Sequence, residues 1–352
     1  MNIRCLHMSP DRRNDMKTKS LLKKNEFYVA VTIIVLSIVI QARSGQFFTA
    51  NNFVDLARAM IIPGMLTMGV MMEIISGGID VSFPAISMLS MYATLEMMLK
   101  ADYKGNVALV FAVASLIGLA LGLINGALIC CLRLPAFIIT LGTSSIYLGF
   151  MQAVLKSHTS AILPEPVSKM VKSFLLTVTN EKLGITSSLP TVFIFMVVIV
   201  VFTALLLKYT MLGRGIYALG GDSDAAERAG FNTVAIRLFV YSFMGCLAGF
   251  VGITRTVLIG SCQPTSLIGY EMTCIAAAVL GGTRISGGHG TVSGTLLGVL
   301  LLTMVSNSLI LMGIPTYWSK FVTGILIIIG TGVSAYQAIR QRRKLAANIL
   351  EG

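Results

Sequence analysis

Long runs without a charged residue dominate the pattern of apolar and polar positions. Residues 27–42, 107–132, 134–155 and 190–207 are the clearest, and 238–254, 290–312 and 321–339 continue the series. Most approach the roughly 20 residues with which a helix crosses a bilayer. Three weaker stretches, 54–75, 82–99 and 271–283, are interrupted by Glu73, Gly77-Gly78, Asp80, Pro84 and Gly281-Gly282. Arg133-Leu134-Pro135 marks a short turn between two runs. The pattern predicts an all-α, polytopic membrane helix bundle of about ten transmembrane helices over 27–339. The two largest hydrophilic segments are 156–189 and 208–237, too short for a separate soluble domain. The first contains Pro164, Pro166 and room for an amphipathic helix at 167–178.

Composition agrees. Of 352 residues, 55% are hydrophobic and 12% charged, against about 25% charged in a soluble domain. This excludes a cytosolic globular enzyme, a disordered chain and a disulfide scaffold. The net charge of +12 does not call for nucleic acid, because membrane chains retain Lys and Arg in cytoplasmic loops. Ten alternating spans that start inside put 17 of the 27 basic residues on the inner side. They lie in the leader 1–26, at Arg133, in 208–237, at Arg284 and in the tail 340–352. Both termini come out cytoplasmic and 156–189 outside.

The leader carries seven basic residues, but no small-x-small cleavage site follows in Ile40–Arg43. Arg12-Arg13 precedes Asn14-Asp15, unlike a twin-arginine signal, so the first span is expected to stay uncleaved. Cys130, Cys131, Cys246 and Cys274 sit in apolar stretches, Cys262 near a helix end and Cys5 in the leader. They are expected to act as small buried hydrophobes. His7, His158 and His289 lie far apart, and no zinc-site spacing occurs. No metal and no cofactor is expected.

The segment Gly213–Gly230 is the most informative hydrophilic stretch. Asp222 is placed to cap a short helix, with Asp224 in its first turn, Arg228 in its last and Gly230 just beyond. Asp224 and Arg228 have the spacing of an ion pair. Ala225, Ala226 and Ala229 leave a smooth face. The helix either docks a partner protein or simply joins two spans.

The stretch GRGIYALGGDSDAAERAGF resembles the cytoplasmic coupling loop of ribose-type sugar ABC-transporter permeases. Four further stretches resemble the same family in its order. They are Gly77–Ser82; Asn125-Gly126 with Leu134–Thr143; Gly269–Glu271 with Ile275–Thr283; and Gly287–Thr295. The resemblance covers about residues 55–335 and departs at Phe83-Pro84, where the family has a small step. It implies the ABC importer permease fold in a bacterial inner membrane. It also implies three kinds of protein partner: an ABC ATPase subunit, a periplasmic sugar-binding protein and a second permease copy or paralogue. The coupling loop then includes Gly213, Arg214, Gly220, Asp222, Ala225, Ala226 and Gly230.

The missing motifs agree. No P-loop is present, and the Gly-rich run 281–290 has His289 where a P-loop needs Lys. At a membrane boundary that run signals close helix packing or a broken helix. No nucleophile motif appears, so the chain is expected to be a non-catalytic subunit. Gly118, Gly122, Gly126 and the pair Gly294 and Gly298 recur at spacings of four, which allows close helix approach. Ionisable groups within spans are functional candidates: Glu73 and Asp80, with Asn125 and Glu271 as further candidates for the translocation path. Arg255 and Glu271 are expected to face each other. Glu73 and Asp80 serve equally as pins for broken helices. They also keep open an ion-coupled secondary transporter. An intramembrane enzyme finds no supporting constellation.

Overall fold

The computed structural model describes residues 25–180, 184–313 and eight positions between 315 and 332. The basic leader through residue 24, most of the run 321–339 and the tail 340–352 lie outside the described residues.

Twelve helices and one hairpin are described. The first five helices are α1 Asn25–Ser44, α2 Ala50–Ile75, α3 Phe83–Lys100, α4 Val107–Leu132 and α5 Ala136–Ala153. A short α6 Glu165–Val171 precedes strands β1 Phe174–Asn180 and β2 Ile185–Pro190. Then come α7 Phe193–Tyr209, α8 Met211–Gly221, α9 Ser223–Arg228, α10 Thr233–Ile259, α11 Tyr270–Leu280 and α12 Val292–Leu311. Among the described residues, five helices are long and apolar enough to cross a membrane, or six if the bent pair α7–α8 forms one span. α11 and α12 are shorter apolar helices.

α2 is the central helix, and Ile61–Ile75 are buried without a break. Pro63 lies within it, and the Thr67 hydroxyl donates back to the Pro63 carbonyl. α3 is buried from Phe83 to Tyr92, with Pro84 in its first turn, where a missing N–H costs no helix bond. The unusual Phe83 is fully enclosed core. Apolar side chains such as Ile38, Leu116, Ile146 and Val198 cover the outside. Lipid-facing apolar surface gives no net drive for helices to associate, so close packing must hold the bundle together.

The glycine spacing supplies that packing. Gly118 and Gly122 of α4 lie against Gly245, Gly249 and the Tyr241 carbonyl of α10. A Cβ at any of these four glycines would collide with backbone. Gly294 and Gly298 of α12 similarly touch the backbone of Gly281 and Ala277.

Three expectations need correction. The fold is not purely α, because 174–190 forms an antiparallel hairpin instead of extending the helix expected at 167–178. Its T-V-T alternation favours a strand, and Asn51 Nδ2 holds it through Val178 O at 3.0 Å and Ile185 O at 3.2 Å. Cys131 is exposed on the outer face of α4, whereas Cys262 and Cys274 are buried as expected. Arg255 and Glu271 do not face each other: Arg255 lies 5.9 Å from the Tyr270 ring centroid, and Glu271 Oε2 accepts the Gly269 N–H at 3.0 Å.

Candidate functional site

A sharp elbow at Thr210 begins the site. α7 and α8 meet there at 76°. The Thr210 hydroxyl donates to the Leu206 carbonyl at 2.6 Å and accepts the Gly213 N–H at 2.9 Å, ending one helix and capping the next. Gly213 lies flush on the Leu206–Leu207 backbone. Gly213, Gly215, Ile216 and Leu219 form the buried face of α8, while Arg214 is exposed. Sequence reasoning missed this helix. Its glycines weaken a helix by about 1 kcal/mol each relative to Ala, but Gly213 and Gly220 are demanded by backbone contacts.

α9 follows at once. Asp222 accepts the N–H groups of Asp224 and Ala225 at 3.0 and 2.9 Å. At the other end Phe231 N–H donates to Ala226 O and Gly230 N–H to Glu227 O, the paired pattern of a glycine-terminated helix. Gly230 has φ +88°, which only glycine adopts freely. Asp224 and Arg228 form no ion pair among the described residues. Both are exposed, and an exposed pair gains little. The alanine face is divided: Ala225 and Ala229 are exposed, whereas Ala226 is 3% exposed and points into the chain itself.

The end of α8 meets two other segments. Gly220 packs on the Ile75 carbonyl at the end of α2 and on the backbone N of Gly288. Gly288 N–H donates to that same Ile75 carbonyl at 2.9 Å, and Tyr217 Oη donates to Gly290 O at 2.8 Å. Gly287 and Gly288 have φ of +85° and +69°, which turns the 281–290 loop under α2. The 208–237 segment, the 76–82 break and the 281–290 loop therefore share one end of the bundle.

A buried polar layer adjoins this junction. Ser82 donates its hydroxyl to Asp80 Oδ1 at 2.6 Å. Asn125 Nδ2 donates to Ser82 Oγ at 2.7 Å, and Tyr147 Oη donates to Asn125 Oδ1 at 3.0 Å. Thr140 Oγ1 accepts the Val81 N–H at 3.3 Å. The Glu73 carboxyl is fully buried within electrostatic reach of Asp80. Glu73, Asp80 and Asn125 thus come together, and Glu271 does not: it stands in the first turn of α11, facing the other end. Tyr147 belongs to the layer but gave no signal in the sequence, and Thr140 stood there only as part of the Leu134–Thr143 stretch.

The described residues contain no cluster of His, Cys, Asp and Glu suited to a metal. What the junction can do is mechanical, since three backbones meet without an intervening side chain.

Residues 52–330 match the family described as Branched-chain amino acid transport system / permease component. The chain is 30% identical over 312 residues to the ribose import permease protein RbsC of Escherichia coli K12, covering 89% of this chain and 94% of that one. It is 31% identical to the autoinducer 2 import system permease protein LsrC of Yersinia enterocolitica, covering 85% and 79%. The LsrC protein of Shigella flexneri is also 31% identical, covering 88% and 86%. No solved structure matches the chain significantly. The matched segment takes in the elbow, the junction and the polar layer alike, and the chain belongs to this family of multi-pass membrane permease components.

Proposed function

We propose that the chain is the membrane-spanning subunit of an ABC importer for a monosaccharide or sugar-like solute. One observation carries the reading: an exposed, doubly capped helix, α9, is joined through α8 and Gly220 to the ends of α2 and the 281–290 loop. A connector needs no such rigid link. A relay from an ATPase to the spans does.

In this reading the chain has ten spans over 27–339, both termini in the cytoplasm, and a bacterial inner-membrane location. Segment 208–237 receives an ABC ATPase, and 156–189 faces a periplasmic binding protein that delivers the solute. A second permease copy or paralogue completes the path around a two-fold axis. Glu73, Asp80 and Asn125 border the closed inner end of that path, and Glu271 stands at its outer end. ATP is hydrolysed by the partner chain. The sugar assignment follows the relatives, one named for ribose import and two for autoinducer 2 import. The test is co-expression with an ATPase of a sugar ABC importer from the same organism, followed by co-purification and single-sugar uptake in a strain lacking this chain.

The buried Glu73–Asp80 pair favours a second reading, an ion-coupled secondary transporter. It requires uptake without any ATPase. Uptake that collapses when the ATPase is removed dismisses it.

A further inference from the structure

At the end opposite the junction, a cavity of about 520 Å³ opens between α2, α10, α11 and α12. That is within the roughly 300–1,000 Å³ of small-molecule sites. Its polar lining is Asn52, Asp55, Arg58, Arg255, Tyr270 and Asn307. Arg58 donates to the Leu258 carbonyl at 3.3 Å, and Asp55 Oδ2 accepts the Ser187 hydroxyl at 3.0 Å. Arg255 is half-buried, and its Nε has no hydrogen-bond partner among the described residues. Neither guanidinium reaches a carboxylate among them within ion-pair distance. A partly desolvated guanidinium without a counter-charge is costly, and an oxyanion offers it two parallel bonds.

We infer that this cavity binds a polyhydroxylated solute carrying one oxyanion, a carboxylate or a phosphate. The oxyanion sits on Arg255 and Arg58. Hydroxyls meet Asp55, Asn52 and Asn307, which supply both acceptors and donors. The Tyr270 ring borders the space. A neutral sugar satisfies the amides and Asp55 but leaves the half-buried Arg255, beside the Tyr270 ring, and the exposed Arg58 without a counter-charge among the described residues. The inference rests on the importer reading and narrows its cargo from sugar-like to acidic sugar-like.

The test uses the detergent-purified full-length permease and three probes that differ only at one carbon: D-glucose, D-glucuronate and D-glucose 6-phosphate. Calorimetric titration is expected to give at least one acidic probe a Kd about tenfold below that of glucose, the scale of one charge-assisted bond. Arg255→Gln and Arg58→Gln should each abolish that preference, and Arg255→Lys should keep part of it. Melting of the unliganded variants verifies that they fold. Equal binding of glucose and both acids by the wild type overturns the inference, as does a preference that survives both Gln variants. Such a failure leaves ATPase co-purification intact. If no ATPase co-purifies with the wild type, the importer reading falls instead, and this inference with it.

Discussion

Gly288 donates its backbone N–H to the carbonyl of Ile75 at 2.9 Å. Ile75 ends α2, and the last carbonyls of a helix have no partner within it. The glycine loop fills that vacancy, and Gly220 of α8 lies against both groups. The helix that carries Glu73, the loop before α12 and the end of α8 that leads into α9 are thereby one mechanical unit.

Replacing Gly220 with Val should break this unit. Its Cβ would fall on the Ile75 carbonyl and crowd Gly288 N. Forced overpacking costs about 1–3 kcal/mol, so thermal melting of the solubilised permease should drop and uptake should fail. Gly221→Ala is the control. Beyond its own helix backbone and chain neighbours, nothing lies within 4 Å of the added methyl, and melting should stay level or rise slightly.

The α4–α10 contact makes a separate demand. Gly245→Ile should separate the helices at Gly118 and Gly122, at a similar cost of about 1–3 kcal/mol. Gly142→Ala, in open space on α5, should leave the melting curve unchanged. Equal melting of the two variants would remove glycine packing as the source of this contact.

Asn125→Leu tests whether the polar layer is a pin or part of the path. The change removes the bonds to Ser82 and Tyr147. Interhelical hydrogen bonds in membranes average about 0.6 kcal/mol and reach about 1.7 kcal/mol. A pin predicts a modest loss of stability with uptake falling in proportion. Abolished uptake at unchanged stability would mean that Asn125 touches the solute.

Sidedness can be read with reporter fusions. Those after Gly221 and Gly352 should report the cytoplasm, and one near Pro166 the periplasm. A fusion after Gly221 that reports outside would make the span count wrong by an odd number and take the docking surface away from the ATPase.

Local signals made α9 legible. Asp222 and Gly230 stand at the two positions where a helix end asks for their chemistry, and both act there. Glycine spacing marked the α4 side of the α4–α10 face, whereas its partners Gly245 and Gly249 on α10 were seen only in the structure. α8 was hidden because its glycines argue locally against a helix, and their reason lies in distant backbone. The hairpin was hidden because Asn51, which holds it, is more than a hundred residues away. The polar layer joins Asp80 and Ser82 to Asn125, 43 residues from Ser82, and then to Tyr147, 22 further on. No periodicity in a sequence encodes such a chain of bonds.

The central claim, that α9 receives the ATPase, is tested most directly by Ala225→Arg. Ala225 is exposed on α9, whereas Ala226 is buried within the permease. Ala226→Arg should therefore lower the membrane level of the protein, and it serves as the folding comparison. For Ala225→Arg three quantities are measured together: permease in the membrane, co-purified ATPase and sugar uptake. The account predicts a normal level with ATPase and uptake both lost. A variant that keeps the ATPase and full uptake would contradict it, and α9 would be no more than a link between two spans.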